Sequence, residues 1–295
     1  MAYACIDIGS NTTRMLVAEV DDGRLRELVT QRAFTRIGKG LKRGKAIPQD
    51  KIDDLVEDVE RQLQSARAAG ADEVSIVATA ALRDAANGPE VSADVESRVG
   101  VPVRILSGED EARLSFLGAT KTLGAPVTGE VCVIDVGGGS TEVVIGSVRE
   151  GVSWSESFRI GSGFLADSYL RSDPPSASEL EAVRRHVSGF FDGLELPPPD
   201  RAVAVGGTAS SLRRLAGAEV AHDTLERSIM IVASASRDEV AERFELDPER
   251  VRVLPGGILI FEALSDKLGM PLTVGKGGLR EGVVLDLVAG KAVAR

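Results

Sequence analysis

Two segments of this sequence carry residue types suited to phosphoryl chemistry, and they repeat each other. Cys5-Ile-Asp7-Ile-Gly9-Ser-Asn-Thr-Thr-Arg14 aligns without a gap on Val133-Ile-Asp135-Val-Gly137-Gly-Gly-Ser-Thr-Glu142, at an offset of 128 residues. Each copy ends an apolar, strand-like run on an aspartate, turns on glycine and enters a second strand. Gly9, Gly137, Gly138 and Gly139 let backbone amides converge on an anion without obstruction by side chains. Ser10, Asn11, Thr12, Thr13, Ser140 and Thr141 add side-chain donors around the same points. Asp7 and Asp135 repel a phosphate unless a cation lies between, so they suit direct Mg²⁺ ligation or acceptance from Mg²⁺-bound water. Two such loops facing each other would hold a polyphosphate with its metal. An offset of 128 is too long for a solenoid repeat and points to two homologous domains.

Other phosphate motifs do not fit. Gly38 to Lys45 has five residues between Gly38 and Gly44-Lys45, and Ala46 stands where a Walker loop needs Ser or Thr. Gly137-x-Gly139-x-x-Glu142 lacks a third glycine and leads into a strand, unlike a dinucleotide fingerprint. A polyanion needs local positive charge, and Arg36, Lys39, Lys42, Arg43 and Lys45 supply five cations with no acid between them. Arg14 and Arg83 could clamp phosphoryl oxygens with a planar fork. Three acids, Glu109, Asp110 and Glu111, follow Ser107-Gly108. Taken alone they read either as a water-activating base or as first-turn acids complementing a helix dipole. Glu142 alone reads as a surface acid on a strand, and His186 and His222 are assigned no chemistry.

The elements positioning these groups alternate between strand and helix patterns, which makes the chain α/β. Tyr3 to Ile8, Arg14 to Val20 and Arg24 to Phe34 read as strands, with a hairpin turn at Asp22-Gly23. Ile52, Leu55, Val56, Val59, Leu63 and Ala66 follow a 3.6-residue period, and Gly70 stops that helix. Glu73 to Ala78 and Pro102 to Leu106 read as strands around a helix over Glu90 to Val99, and Glu111 to Gly118 reads as helical. Leu123 to Gly129 lacks periodicity and marks the domain boundary, giving domains 1–123 and 124–295 with the last helix placed to return to the first. Val131 to Val136 is apolar enough for a central strand, followed by strands over Thr141 to Gly146 and Val152 to Phe158. Ser178-x-x-Glu181 reads as a capping box for a helix continued by Leu180, Val183, Val187, Phe190 and Leu194, and Ser236-x-x-Glu239 as a second. Arg201 to Val205 is a strand running into Gly206-Gly207-Thr208, a further phosphate or nucleotide contact.

Length and composition bound the function. At ~150 residues per domain, 295 residues suggest two domains. The formal charge of −10 and pI near 4.9 argue against a nucleic-acid binder. With 43% hydrophobic residues the chain is neither disordered nor dependent on disulfides. No apolar run approaches the ~18 residues of a membrane span, and the N-terminus has no basic region before an apolar core. The expected location is cytoplasmic, with Cys5 and Cys132 as buried free thiols. Two cysteines and two histidines without close spacing make no zinc site.

Seven ordered motifs carry a resemblance over nearly the whole chain. They are Asp7-Ile-Gly-Ser-Asn11, Ile37-Gly-Lys-Gly-Leu41, Ala78-Thr-Ala-Ala-Leu-Arg83 with Asn87, Ser107-Gly-Glu-Asp-Glu-Ala-Arg-Leu114, Asp135-Val-Gly-Gly-Gly-Ser-Thr-Glu142, Gly206-Gly-Thr208 and Gly278-Leu-Arg-Glu-Gly282. The chain resembles the exopolyphosphatase/guanosine pentaphosphate phosphatase family, within the acetate and sugar kinase, heat-shock chaperone and actin superfamily. The resemblance implies two ribonuclease-H-like (actin-like ATPase) domains, mixed sheets flanked by helices, and an active site in the interdomain cleft. It implies Mg²⁺-dependent hydrolysis of terminal phosphoanhydrides, with Mn²⁺ as an alternative metal. It assigns the base to Glu111, a metal or water ligand to Glu142, and the Ile-Gly-x-Gly-Leu loop with Arg36 and Lys39 to the mouth of the cleft. Metal is then expected on Asp135 and Glu142, with Asp7 a further candidate. The expected reaction is release of terminal phosphate from polyphosphate, and guanosine pentaphosphate is the alternative substrate. Longer family members carry C-terminal domains beyond the Gly278 motif; their expected absence here favours short polyphosphates or small nucleotides. An actin-like-fold kinase or ATPase is disfavoured by the Ser107 to Leu114 motif. A non-catalytic polyphosphate or alarmone sensor is disfavoured by the four carboxylates Asp7, Glu111, Asp135 and Glu142. The resemblance also allows a homodimer.

Overall fold

The computed structural model describes residues 1–21, 23–39, 41, 44–124 and 127–293, the last three as backbone only. Asp22 of the expected hairpin turn and Lys42 and Arg43 of the cationic stretch lie outside the described residues. The chain forms two compact units, Met1–Ala125 with Gly277–Arg295, and Pro126–Lys276.

The first unit opens with β1 (Ala2–Ile8), β2 (Thr13–Asp21) and β3 (Arg24–Ala33), then α1 (Gln49–Ala68), β4 (Ala71–Ala78), α2 (Ala80–Asp84), α3 (Gly88–Val99), β5 (Val103–Ile105) and α4 (Gly108–Lys121). Its sheet runs β3-β2-β1-β4-β5, antiparallel from β3 to β1 and parallel from β1 to β5. β1 is almost wholly apolar because both its faces are covered. Ala4, Ile6 and Ile8 pack with Leu55, Val56 and Val59 of α1 and Val91 and Val95 of α3. Tyr3 and Cys5 pack on the other face with Leu16 of β2 and Leu114 of α4. By the two-residue alternation of a strand, Asp7 follows Tyr3 and Cys5 onto the α4 side. Burial raises the Cys5 thiol well above its ordinary range, with the Asp7 carboxylate adding to the effect.

The second unit holds β6 (Val131–Val136), β7 (Thr141–Ser147), β8 (Gly151–Phe158), α5 (Ser162–Tyr169), α6 (Ala177–Phe190), β9 (Arg201–Val205), α7 (Gly206–Ala216), β10 (Glu219–Val220), α8 (His222–Ala233), α9 (Arg237–Phe244), α10 (Pro248–Leu268) and β11 (Leu272–Val274). Its sheet runs β10-β11-β9-β6-β7-β8. The β6-β7-β8 meander and the parallel β6–β9 pair repeat the arrangement of β1-β2-β3 and β4. The middle of α10 is apolar on all sides, with Val253, Leu254, Ile258, Leu259, Ile260 and Phe261 all buried. Burial of that kind holds a helix through Pro255-Gly256-Gly257, residue types that disfavour a helix interior.

The first capping box sits two residues earlier than expected. Ser176, not Ser178, caps α6, and the partner is Glu179; the helix ends at Phe190, so Leu194 lies beyond it. Glu179 also accepts from the Arg171 and Ser172 amides at 2.6 and 3.0 Å and from the Ser172 hydroxyl, which draws the preceding loop onto this carboxylate. The Ser172 hydroxyl foremost, with the Ser176 and Arg171 amides, lowers the Glu179 pKa to about 2.

The final helix, α11 (Leu279–Val293), belongs to the first unit and not with residues 124–276. Its Leu279, Val283 and Val284 complete the core around Cys5 and Leu114. The α4–α11 contact is close because glycines face each other. A Cβ on Gly282 would stand 1.8 Å from the Leu114 carbonyl oxygen, and one on Gly118 1.9 Å from that of Gly278. The Gly278 to Gly282 motif is therefore a helix crossing that seats α4.

Gly282→Ala is expected to lower stability by about 1–3 kcal/mol through overpacking, read as a reduced Tm; an unchanged Tm would contradict the close crossing. Glu179→Gln is expected to destabilise at pH 7. Since the folded carboxyl titrates below its ordinary value of 4.5, its contribution is present above that pH and lost towards about 2. Denaturant midpoints of wild type and variant should therefore converge across that interval.

Candidate active site

In the first unit, three parallel strands end side by side. The Thr79 amide donates to the Ile8 carbonyl at 3.2 Å, and the Leu106 amide to that of Ala78 at 2.9 Å. Chain leaving β1, β4 and β5 becomes the loop 9–12, α2 with Arg83, and α4 with Glu111. The carboxyl ends of parallel strands are the usual place for a site in an α/β sheet. Ser107 caps α4, its hydroxyl accepting from the Asp110 amide at 3.0 Å, and this sets Glu111 in the first turn.

Glu111 is 6% exposed. Its Oε2 accepts from Arg83 Nη1 at 2.8 Å, and the same nitrogen donates to the Leu106 carbonyl at 2.9 Å. Arg83, read from the sequence as a phosphate clamp, has one of its nitrogens engaged by the candidate base. Its Nη2 is buried and has no hydrogen-bond partner in the structure. Glu109 and Asp110 are exposed, which separates them from Glu111.

The two repeated loops close identically. The Gly9 amide donates to the Thr12 carbonyl at 3.1 Å, and that of Gly137 to Ser140 at 2.9 Å. Below them, Asp7 stands opposite Arg14 and Asp135 opposite Glu142, the same register 128 residues apart. In the first loop the Ser10 and Asn11 carbonyls accept from the Gly38 and Arg36 amides at 2.8 and 3.1 Å. In the second the Gly137 and Gly138 carbonyls accept from the Ser162 and Phe164 amides at 2.9 and 3.0 Å. A planar trans peptide points its N–H opposite to its C=O. The N–H groups of Asn11 and Thr12 therefore face away from residues 36–38, and those of Gly138 and Gly139 away from α5. Consecutive amides turned to one side form an anion cradle.

The expected hydroxyls divide. Arg14 Nε donates to Thr12 Oγ1 at 3.2 Å, keeping both groups beside the first loop. Thr13 is fully buried and its hydroxyl bonds that of Thr35 at 3.1 Å. Thr141 is also fully buried, its hydroxyl donating to the Ile160 carbonyl at 2.6 Å; it serves the fold rather than a phosphate. Thr208 lies in the first turn of α7 with its side chain fully buried against Gly257, where a Cβ would stand 2.4 Å from Thr208 Oγ1. What Gly207 and Thr208 could offer an anion is backbone N–H, not the hydroxyl.

The cationic stretch is fastened at both ends. Arg36 has φ of +48°, unusual for a residue with a side chain, and its amide is the one bound by Asn11. Lys39 is exposed. Farther on, the Gly44 amide donates to Asp84, Lys45 accepts from Ala86, and the Asn87 side chain bonds both backbone groups of Ile47 at 2.7 and 3.0 Å. The family motif's Asn87 thus anchors the stretch to the α2–α3 joint.

In the second unit, Asp135, Glu142 and Ser157 form one transverse row across β6, β7 and β8. Ser157 Oγ, which sequence reasoning missed, donates to Glu142 Oε1 at 2.8 Å. Glu142 is 2% exposed and Asp135 half-buried, so the surface-acid reading of Glu142 fails. Gly206, with φ of +84°, crosses directly over Asp135: a Cβ there would stand 2.3 Å from Oδ1. Like charges directly opposite each other in a sheet are destabilising. A cation between them removes that cost, and Mg²⁺ typically takes one or two carboxylates, completing its shell with waters and substrate oxygens. The pair fits such an ion. Among the described residues no group of three or more His, Cys, Asp or Glu has a metal-binding arrangement. Asp7 stands opposite an arginine, Arg14, in the sheet, a setting less suited to metal than that of Asp135.

His186 packs among the rings of Phe164, Tyr169 and Phe190, and His222 Nδ1 contacts Asp266 Oδ1 at 3.0 Å. Cys5 and Cys132 are buried free thiols, and burial pushes the Cys132 pKa to about 12. No helix among the described residues is long and apolar enough to cross a membrane.

The sequence pattern of the Ppx/GppA phosphatase family matches residues 16–290. The chain belongs to the Ppx/GppA phosphatase family. With it goes the enzyme class, a hydrolase acting on phosphoric anhydrides. Exopolyphosphatase 1 of Mycobacterium tuberculosis is 30% identical over 303 residues, covering 97% of this chain and 88% of that protein. The Ppx/GppA family member of Aquifex aeolicus is 28% identical, with a TM-score of 0.81 covering 99% of this chain and 98% of that one. An exopolyphosphatase from Cytophaga hutchinsonii, 21% identical, superposes with a TM-score of 0.86 over 98% of both chains and attests the fold. Two mixed sheets flanked by helices are thus the Ppx/GppA architecture.

Because Arg83 and Glu111 have side chains only 17% and 8% exposed, removing one strands the other. Arg83→Met is expected to cost about 3–5 kcal/mol, and adding Glu111→Gln to recover part of it. Additive losses in the double-mutant cycle, measured by denaturant unfolding, would contradict the coupling.

Proposed function

We propose that this protein is an exopolyphosphatase, removing the terminal phosphate of inorganic polyphosphate with Mg²⁺ as the metal. The observation carrying this reading is the pair of amide-lined loops, one beside a buried carboxylate held by a guanidinium, the other above two opposed acids. The match to exopolyphosphatase 1 and the anchored cationic stretch support an extended polyanion as substrate.

The residues divide the work by their chemistry. The Asn11, Thr12, Gly138 and Gly139 amides bind phosphoryl oxygens, with Gly9, Ser10, Gly137 and Ser140 shaping the loops. Arg14, Arg36 and Lys39 offset charge along the phosphate chain. Glu111, oriented by Arg83, takes a proton from water as its oxygen attacks the terminal phosphorus. The anhydride bond to the bridging oxygen breaks, giving orthophosphate and a polyphosphate shorter by one unit. Asp135 and Glu142 would hold Mg²⁺, which offsets charge on the transferred phosphoryl group when bound. Ser157 keeps the Glu142 carboxylate turned to its row.

The test is phosphate release from tripolyphosphate, longer polyphosphate and guanosine pentaphosphate with Mg²⁺. Glu111→Gln is expected to lower kcat by about 10²–10⁴-fold, and Glu142→Gln to raise the Mg²⁺ concentration needed for half-maximal rate. Equal rates for Glu111→Gln and wild type would remove the assigned base. Preferential turnover of guanosine pentaphosphate would replace the substrate.

A further inference from the structure

The transverse row that begins at Asp7 and Arg14 has a third member. Arg14 of β2 stands opposite Arg32 of β3, so Asp7, Arg14 and Arg32 lie side by side on one face, with Arg32 on the edge strand. The corresponding row of the second unit is Asp135, Glu142 and Ser157, so nothing in the shared hairpin demands an arginine here. Two cations directly opposite each other in a sheet oppose pairing, as like charges do. Arg32 is exposed and, among the described residues, has no carboxylate within ion-pair distance. Arg24 and Arg26 lie farther along the same strand, and Arg26 is paired with Glu19.

Arg32 is nevertheless held in place. Its guanidinium lies 5.1 Å from the centroid of Phe34, and that of Arg36 lies 6.0 Å from the same ring. One aromatic ring thus gathers two guanidiniums, and the Arg36 backbone is tied to loop 9–12 through Asn11. A flat cation resting on a ring loses less freedom when it binds an oxyanion than one on an unsupported stem. At ~4.8 Å between neighbouring strands, Arg32 stands about 10 Å from β1, several phosphoryl units from where the terminal group is bound.

We infer that Arg32, seated on Phe34, is an outer subsite for the phosphate chain, binding a phosphoryl group remote from the one hydrolysed and favouring longer substrates over short ones. This rests on the reading of the protein as a polyphosphate hydrolase. The chemistry recognised is a polyanion with regularly repeated oxyanions, which can lie across the neighbouring Arg14 and Arg32.

The experiment compares Arg32→Ala with Arg26→Ala, an exposed position at the far end of β3 with the same loss of charge. KM is measured on tripolyphosphate and on sodium polyphosphate of several tens of units, and binding of the long polymer is measured separately in Glu111→Gln. Arg32→Ala is expected to raise KM for the long polymer about tenfold, as for one lost charge-assisted hydrogen bond, with a smaller rise for tripolyphosphate and little change in kcat. It should weaken binding in the Glu111→Gln background by a similar factor, while Arg26→Ala leaves the long-polymer KM within about twofold of wild type. Equal effects of the two substitutions, equal effects on both substrates, or no effect of Arg32→Ala would each overturn the subsite. Wild-type protein that releases no phosphate from any polyphosphate overturns the functional reading instead, and the binding measurement still decides whether Arg32 grips the polymer.

Discussion

A peptide group cannot offer its carbonyl and its amide to the same side, and the candidate site follows from that restriction. Each repeated loop gives two successive carbonyls to amides on its flank, from residues 36 and 38 in one unit and from the start of α5 in the other. Each loop is thereby obliged to turn successive N–H groups outward. No bound anion is needed to create the cradle; the protein's own hydrogen bonds prepare it. The cationic stretch before α1 and the helix after β8 then have a common task, to hold a four-residue turn by its carbonyls.

On this shared frame the two units have diverged in charge. Asp7 meets a guanidinium across the strand pair, whereas Asp135 meets a second carboxylate, in the same register. The first sets an acid beside a base on one face. The second sets two acids side by side on one face. One hairpin geometry thus carries two different charge patterns, set by the residue that stands opposite the aspartate. Gly206 allows the chain to cross closely over Asp135 where any side chain would collide with it.

Much of this was legible in the sequence because it is local. An apolar run ending on aspartate, glycine and hydroxyls specifies a strand and a turn, and the gap-free repeat already implied matched registers. Legibility ended where the partner comes from elsewhere in the chain. Nothing near Arg83 shows that Glu111 will take one of its nitrogens, and nothing near Thr208 shows that α10 will cover it. Ser157 lies two strands from Asp135 and has no motif of its own. Ser176 and Ser178 both begin a plausible capping box; the choice was made by Arg171 and Ser172 converging on Glu179. α10 is set by burial around its middle, which outweighs the unfavourable helix propensity of Pro-Gly-Gly and depends on partners elsewhere in the chain.

The return of α11 to the first unit has a bearing on how the chain is made. Synthesis runs from the N-terminus, so everything from β1 to α4 emerges before the residues that complete its core. Until Leu279, Val283 and Val284 arrive, Cys5, Leu16 and Leu114 lack their cover, and the helix bearing Glu111 lacks the glycine-lined neighbour that seats it. Residues 127–276 can build their own sheet in the interval. A ribosome-bound fragment therefore has both glycine loops in hand well before the helix bearing Glu111 is firmly seated, because that seat waits for α11.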